Sequence, residues 1–540
     1  MKNLLFLILL TALIFAAGES PANEIEKDLQ PYLGRVIRKI EIVRKNVFDD
    51  EIKSHPPFYY RWANSLHITT RESVIRRELL FAVGDTLDIQ KVVETERNLR
   101  LAGFIGEVDI AAHPDGAHGV ALSLTSTDLW TTKGEIFADA AGGNYTVGLA
   151  ATEGNLLGLG KYIQVLGQMG NDQDGFEVLC LDGRLFGSRQ ALSFIYSDFT
   201  YNESLLLGLA RPQFSLAEPM TFKVEFSRSR TRQRLFYKGE EIFRYFSRQV
   251  VFGSEWIYAF GRNQRVGIVS GFNLEDYNYS PDNPNSVLNE IIPADERLSY
   301  PMLGGKVATI RFGTGRFLDA SGTTEDLALG ASLKAVAGYS SRMMGANYVG
   351  QYQLVSTRFL LKPTERLYIG GSERFTWWNH DSRNERMRHR SEIAVYYKPS
   401  RMHLVALRGL TDFAWRQKST YQVLLGGGNG LRGHSYYELA GDKLAVGNLE
   451  YRFYTPIQVL TVRLGAAAFF DFGNVWRRGE SVELRELKSD IGLGLRFGLT
   501  KSSTSRVVNL DFARSLNENE YFISFGSTRI FSLGNFDINE

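Results

Sequence analysis

The chain is poor in the features that stabilise or identify many proteins of its size. One cysteine, Cys180, stands among 540 residues, so no intramolecular disulfide can form. Proline is scarce at 14 residues, and long segments run without the residue that interrupts a sheet ladder. Neither charge is in surplus, with 62 Lys and Arg against 60 Asp and Glu. That balance excludes a nucleic-acid binder held by bulk electrostatics. Apolar runs of the roughly 20 residues that a spanning helix needs are missing except at the extreme N-terminus, and mean hydropathy is -0.18. A multi-helix membrane protein is therefore excluded.

Catalytic signatures are missing as well. There is no G-x-S-x-G elbow, and the eight histidines (His55, His67, His113, His118, His380, His389, His403 and His434) form no H-E-x-x-H. His113 and His118 flank a turn and read as exposed turn residues rather than a metal site. The expectation is a protein with no catalytic residue, no metal ligand and no cofactor. A hydrolase whose residues are scattered over several strands is the one enzyme class that such a search does not reach. What the chain has in quantity is glycine (52), phenylalanine (35) and tyrosine (25), a composition suited to long strands and tight turns.

The N-terminus reads as an export signal over residues 1–18. Lys2 supplies the basic region, Leu4 to Phe15 is apolar but for Thr11, and Ala16-Ala17-Gly18 offers small residues for cleavage. A retained anchor is the alternative, against which the polar Glu19-Ser20-Pro21 counts. No cysteine follows to carry a lipid.

Residues 33–132 mix α and β patterns. Val36 to Val43 alternates as a strand and is followed by a polar insert through His67. Thr69-Thr70-Arg71-Glu72 predicts a capping box that opens a helix to about Phe81. A second helix follows Asp88 and stops at Gly103, and strands around Ile105–Ala111 and Val120–Thr127 complete a β-α-α-β-β order.

After Lys133 the helical period disappears. In Asp490–Thr500 the residues Ile491, Leu493, Leu495, Phe497 and Leu499 share one face, opposite Gly492, Gly494 and Arg496. The same phase sets Val462, Leu464, Ala466 and Phe470 against Arg463, Gly465, Phe469 and Asp471, and Leu449, Tyr451 and Phe453 against Glu450 and Arg452. An apolar outer face with glycine and charge within is the reverse of a soluble sandwich. It predicts a transmembrane antiparallel β-barrel over residues 134–540, with 16 strands at about 25 residues per strand and loop. A soluble sandwich or propeller is the alternative, and no propeller repeat is visible.

One glycine-rich stretch, Gly428-Asn429-Gly430-Leu431-Arg432-Gly433, fits G-x-G-x-x-G formally. No helical period follows it, so it reads as a long loop rather than a nucleotide site. Arg432 at its tip is suited to enter a polar lumen and grip a carboxylate with two donors. Alternation points Asp471 inward as the first candidate partner, with Glu450 and Asp490 next; an exposed arginine without a partner is the alternative reading from spacing alone.

Three stretches, in order, carry a family resemblance: Glu153-Gly154-Asn155-Leu156-Leu157-Gly158-Leu159-Gly160-Lys161, Leu431-Arg432-Gly433-His434 and Phe469-Phe470-Asp471-Phe472-Gly473. The chain resembles the bacterial surface antigen superfamily of BamA, TamA and the two-partner secretion transporters. The resemblance implies a single POTRA (polypeptide-transport-associated) domain at 33–132, in the periplasm, ahead of a 16-stranded outer-membrane barrel. It implies a bridge from Arg432-Gly433 to Asp471 and Gly473, with Glu450, Asp490 and Arg496 as further lumen partners. It also implies a weak seam between a strand near Gly134–Gly142 and one near Tyr521–Phe531. The expected function is assembly or insertion of outer-membrane proteins. The alternatives are a two-partner-type secretion pore and a passive structural barrel. Expected partners are unfolded outer-membrane or secreted client polypeptides, the lipid bilayer, and periplasmic chaperones or accessory subunits, with no nucleic acid. Three departures stand out: His434 replaces the aromatic that follows R-G, the chain continues beyond Phe531, and one POTRA domain is fewer than is usual in BamA, TamA or the secretion transporters.

Overall fold

A computed structural model describes residues 28–536 apart from 55–57, 321, 323, 381–382, 460, 501–506 and 528–529. The expected signal at 1–18 and the last four residues lie outside the described residues. The N-terminal unit runs β1 (Val36–Lys45), α1 (Asp49–Ser54), α2 (Phe58–Leu66), α3 (Glu72–Glu78), α4 (Ile89–Leu101), β2 (Ile105–Asp115) and β3 (Gly119–Asp128). Its sheet has the order β1-β3-β2, with β1 parallel and β2 antiparallel to the central strand. Ile37, Ile75, Leu99, Ile105, Leu122 and Leu124 meet in one apolar core.

Local signals account for part of this unit. Asp88 caps α4 by accepting from the Gln90 N–H, and Gly103 follows the helix with φ of +80°. The expected capping box at Thr69–Glu72 does not form. Arg71 is the N-cap with no side-chain cap bond, and the helix stops at Glu78. Thr70 is engaged elsewhere: its N–H and hydroxyl both donate to Asp128, at 2.7 and 2.9 Å. The polar insert before His67 contains α1 and α2.

The expected 16-stranded barrel has 20 strands. Its first wall is β4 (Thr132–Ala141), β5 (Asn144–Glu153), β6 (Lys161–Gly170), β7 (Gly175–Asp182), β8 (Ala191–Phe199) and β9 (Asn202–Arg211). The tall wall is β10 (Met220–Tyr237), β11 (Glu240–Phe260), β12 (Gln264–Pro281), β13 (Glu296–Arg316), β14 (Thr324–Ser340), β15 (Gly350–Thr364), β16 (Leu367–His380), β17 (Arg383–Ser400) and β18 (His403–Trp415). A short ribbon, β19 (Val423–Leu425) with β20 (Leu439–Gly441), lies outside the barrel order. The barrel finishes with β21 (Lys443–Val459), β22 (Val462–Trp476), β23 (Lys488–Leu499), β24 (Val507–Ser515) and β25 (Tyr521–Gly526).

The miscount has a physical origin. Strands in the first wall are only 8–10 residues long and are joined by connections of two to eight residues, so six strands fit between Thr132 and Arg211, far below about 25 residues per strand and loop. The predicted phase on the last wall is present: Ile491, Leu493 and Leu495 are exposed on the outside, while Asp490 and Arg496 are buried within.

Closure is uneven. Neighbouring strands register over at least six positions, as in β24 with β25, and over as many as 18 in β10 with β11. The closing pair, β25 with β4, registers at Phe525 opposite Ala140 alone among the described residues. The last strand ends at Gly526 rather than near Phe531. A side chain at Gly526 would overlap the Asp139 carboxylate, and Phe531, Leu533 and Phe536 lie in the lumen.

The N-terminal unit covers one mouth of the barrel. Arg100 of α4 grips Asp326 of β14 with two donors, at 2.6 and 2.9 Å. Glu78 of α3 receives Arg184, and Asn155 beyond β5 donates to the Thr70 hydroxyl at 2.8 Å. Through Thr70 this contact reaches Asp128.

Burial pushes the Asp128 carboxyl up to about 6, against the Thr70 hydrogen bonds that favour its charge. Its folded pKa exceeds the unfolded one, so this contribution to stability is complete below about pH 4 and is lost as pH rises through about 6. Buried His67 is shifted down by desolvation, so its contribution has the opposite sign: it is complete above about pH 6.5 and is lost as pH falls. Asp128→Asn keeps an acceptor for Thr70 and removes only the first of these. Calorimetric unfolding of the full chain should find Asp128→Asn more stable than wild type at pH 7, on the order of 2 kcal/mol, with the difference vanishing near pH 4. A variant less stable at pH 7 would show that the charge itself is required.

Candidate functional site: a charged anchor inside the barrel

The segment between β18 and β21 leaves the end of the barrel opposite the N-terminal unit and folds back into the lumen. Apolar residues explain the direction. Leu425 and Leu431 pack against Leu410, Leu444, Val446 and Val475 on the inner wall, and the β19–β20 ribbon spans the base of the loop. With the stem fixed, the glycine-rich tip is carried to the charged face of β21–β24.

Arg432 arrives there fully enclosed. Its Nε and Nη2 donate to the two oxygens of Asp471 at 2.8 and 2.9 Å, and its Nη1 donates to Glu450 at 3.0 Å. The guanidinium lies over the Phe469 ring, 3.4 Å from its centroid. Phe469 can lie against the wall because its cross-strand partner is Gly492; a methyl group there would fall 2.2 Å from the ring. Gly433 is required for a similar reason, since a Cβ would sit 2.5 Å from that of Asp490 and 3.0 Å from the Ser515 nitrogen. A Cβ at Gly473 would lie 2.8 Å from the Ala445 carbonyl oxygen.

The predicted residues thus converge, with different roles. Asp471 and Glu450 bind Arg432 directly. Arg496 donates to Glu450 at 3.3 Å and pairs with Asp511. Asp490 lies directly opposite Asp471 on the next strand and forms the surface on which Gly433 rests. It is a wall beneath the loop rather than a partner of Arg432.

Four residues that complete the site were not singled out by sequence. Asn448 donates to Asp471 and to the Gly430 carbonyl, both at 2.8 Å. Arg452 donates to Glu450 at 2.9 Å and to Asp319 at 3.2 Å. Alternation along β21 places 448, 450 and 452 on one face, so two of these were within reach of the pattern. Asp511 and Asp319 carried no such signal. Three guanidinium groups therefore interlock with four carboxylates, around a cavity of about 40 Å³. Burying such charges is favourable only where each finds partners.

The chain's end joins the same network from the other mouth. Ser532 Oγ and the Leu533 N–H both donate to Asp319 at 2.7 Å. Phe531, Leu533 and Phe536 are buried against Leu318, Tyr396 and Leu404 on the inner wall. Phe531, expected to end a family barrel, is a lumen residue here.

The loop also reaches both sides of the closing pair. Tyr436 N–H donates to the Gly142 carbonyl in the β4–β5 turn at 2.8 Å, while Gly433 rests on β23 and β24. A cavity of about 310 Å³ lies between loop and closure, lined by Ala140, Gly427, Tyr436, Phe525 and Gly526 among others.

The sequence pattern of the Omp85 superfamily domain matches residues 155–523. No curated protein matches the chain. Among solved structures it is similar to BamA from Haemophilus ducreyi lacking POTRA domains 1–3, at 13% identity and a TM-score of 0.39, covering 90% of this chain and 84% of that one. CdiB from Acinetobacter baumannii matches at 13% identity and 0.45, covering 93% and 76%. CdiB from Escherichia coli matches at 12% identity and 0.44, covering 90% and 75%.

Arg432→Ala would leave Asp471 and Glu450 buried without their shared cation, a loss of about 3–5 kcal/mol. The gel-shift temperature at which the folded barrel converts to the unfolded band should fall, and Arg432→Lys, which cannot fork, should lie between. An unchanged transition in Arg432→Ala would show that the loop does not brace the barrel.

Proposed function

The chain belongs to the Omp85 superfamily of outer-membrane β-barrels, and from that premise we propose that it inserts client β-barrel proteins by lending them the edge of its first strand. The observation that carries this reading is the closure of β25 on β4 at one position. A strand edge with unpaired amides is a template for another strand, and a client strand added there would satisfy the backbone of both chains within lipid.

The residues in front of the barrel act in this reading as a single POTRA domain in the periplasm. The outer strand β2, and β1 beyond Ile37 where the segment 84–87 no longer pairs with it, offer edges to which an extended client, or a periplasmic chaperone or accessory subunit, adds by β-augmentation. The first 18 residues direct export. The reaction is non-enzymatic: strand pairing drives it, and the Arg432 network holds the wall in shape while the closure opens. A secretion pore of the two-partner type is the second reading. The lumen carries a folded-in loop and the chain's end, and α3 and α4 pack at one mouth, which supports a barrel closed to through-passage in this state over a passive pore.

A pair of cysteines at Ala140 and Phe525, in a Cys180→Ser background, tests the premise that the closure opens. Reconstituted in liposomes, the wild type should accelerate folding of an urea-unfolded client barrel. The oxidised pair should fall to the rate of empty liposomes, and reductant should restore it. Full activity in the oxidised form would remove the closure from the mechanism. Ion conductance without any acceleration by the wild type would favour the passive barrel.

A further inference from the structure

We propose that His434, Glu438 and Glu518 form a divalent transition-metal site that ties the lumen loop to the β24–β25 hairpin. His434 Nδ1 lies 3.1 Å from Glu438 Oε1 and 3.3 Å from Glu518 Oε2, and the three atoms fall within 4.8 Å of one another. The two nitrogen–oxygen separations match edges of a tetrahedron drawn around an ion with metal–ligand bonds of 2.0–2.1 Å, which are about 3.3 Å long. The only proton that Nδ1 can carry cannot align with both carboxylates, whereas one cation between them serves all three groups.

Each carboxylate is oriented by a second contact, as metal ligands usually are. The other oxygen of Glu438 accepts from the Ser435 N–H at 2.9 Å. The other oxygen of Glu518 pairs with Lys488, and Ser515 Oγ approaches its ligand oxygen at 3.5 Å. His434 itself is fully buried, which fixes the imidazole while Glu518 stays accessible. Beside the cluster a cavity of about 440 Å³, lined by Glu438, Asn474, Arg477, Glu480, Lys488 and Glu518, gives an ion a way in and leaves room for a water as fourth ligand. One imidazole nitrogen with two carboxylates selects Zn²⁺ and its neighbours over Ca²⁺ and Mg²⁺, which prefer all-oxygen shells. The ligands come from two separate segments: His434 follows Arg432-Gly433 directly, and Glu518 lies in the turn that leads into the closing strand.

The test uses the full chain without a histidine tag, in detergent micelles, stripped with chelator and titrated with ZnCl₂ by calorimetry. Wild type should bind one equivalent and convert to the unfolded band at a higher temperature with Zn²⁺ than without. Glu518→Gln, at an accessible turn where folding is unaffected, should bind at least roughly tenfold more weakly and lose the Zn²⁺-dependent shift, while Glu520→Gln should behave as wild type. Lys488→Met removes the ammonium on the non-ligand oxygen of Glu518 and should still bind one equivalent, at most roughly tenfold more weakly; a mere salt-bridge cluster would show no Zn²⁺ isotherm at all. The proposal is overturned by no saturable binding in wild type, by wild-type affinity in Glu518→Gln, by loss of binding in Lys488→Met, or by an equal one-equivalent isotherm with Ca²⁺.

Discussion

In a bilayer an amide without a partner finds no water to replace it, so a sheet that spans the membrane has to close on itself. The architecture of this protein is set by how incompletely it meets that constraint. Nineteen of the 20 strand junctions are registered over six or more positions, and the junction of β25 with β4 over one. β25 lies beside β4 but registers with it at that one position among the described residues, and the interior of the barrel reinforces this junction. The loop from Val423 to Gly441 touches the turn after β4 on one side and β23–β24 on the other, so it braces the two flanks of the junction from inside.

A brace of this kind has to be rigid, and the means is charge rather than apolar packing. Arg432, Arg452 and Arg496 are each surrounded by carboxylates on the inner wall, with Phe469 beneath the first of them. Such a cluster is weak evidence for net stability, because the same volume filled with apolar side chains would also be stable. Its value lies in geometry. A forked guanidinium accepts few arrangements of its partners, so the loop has one seat on the wall, whereas a leucine-lined tip could slide along it.

How much of this was legible in the sequence depended on period and spacing. The inward phase of β21–β23 follows directly from Glu450, Asp471 and Arg496 alternating with lipid-facing residues, and Arg432 stands out as a charge in a glycine run. Strand number did not follow, because it depends on turn lengths, and tight turns such as Ala141–Asn144 leave little mark in composition. The capping box at Thr69–Glu72 was a correct local pattern overridden by tertiary structure, since Thr70 binds a carboxylate 58 residues away. Asp319 and Asp511 had no local signal, because their partners come from remote strands. The segment after Gly526 was visible only as an extension beyond the expected end; nothing in its seven described residues after position 529 indicates that it enters the lumen.

That segment gives Asp319 an unusual position in the life of the chain. Its carboxylate accepts from Tyr396, Arg452, Ser532 and Leu533, and the last two donors lie beyond the closing strand. Without them, the inner wall around Leu318 and Tyr396 would be open to water and one end of the charge network would be short of donors. The barrel is therefore sensitive to its own completeness: a chain broken off after its last strand has every strand it needs, yet lacks the residues that finish its interior.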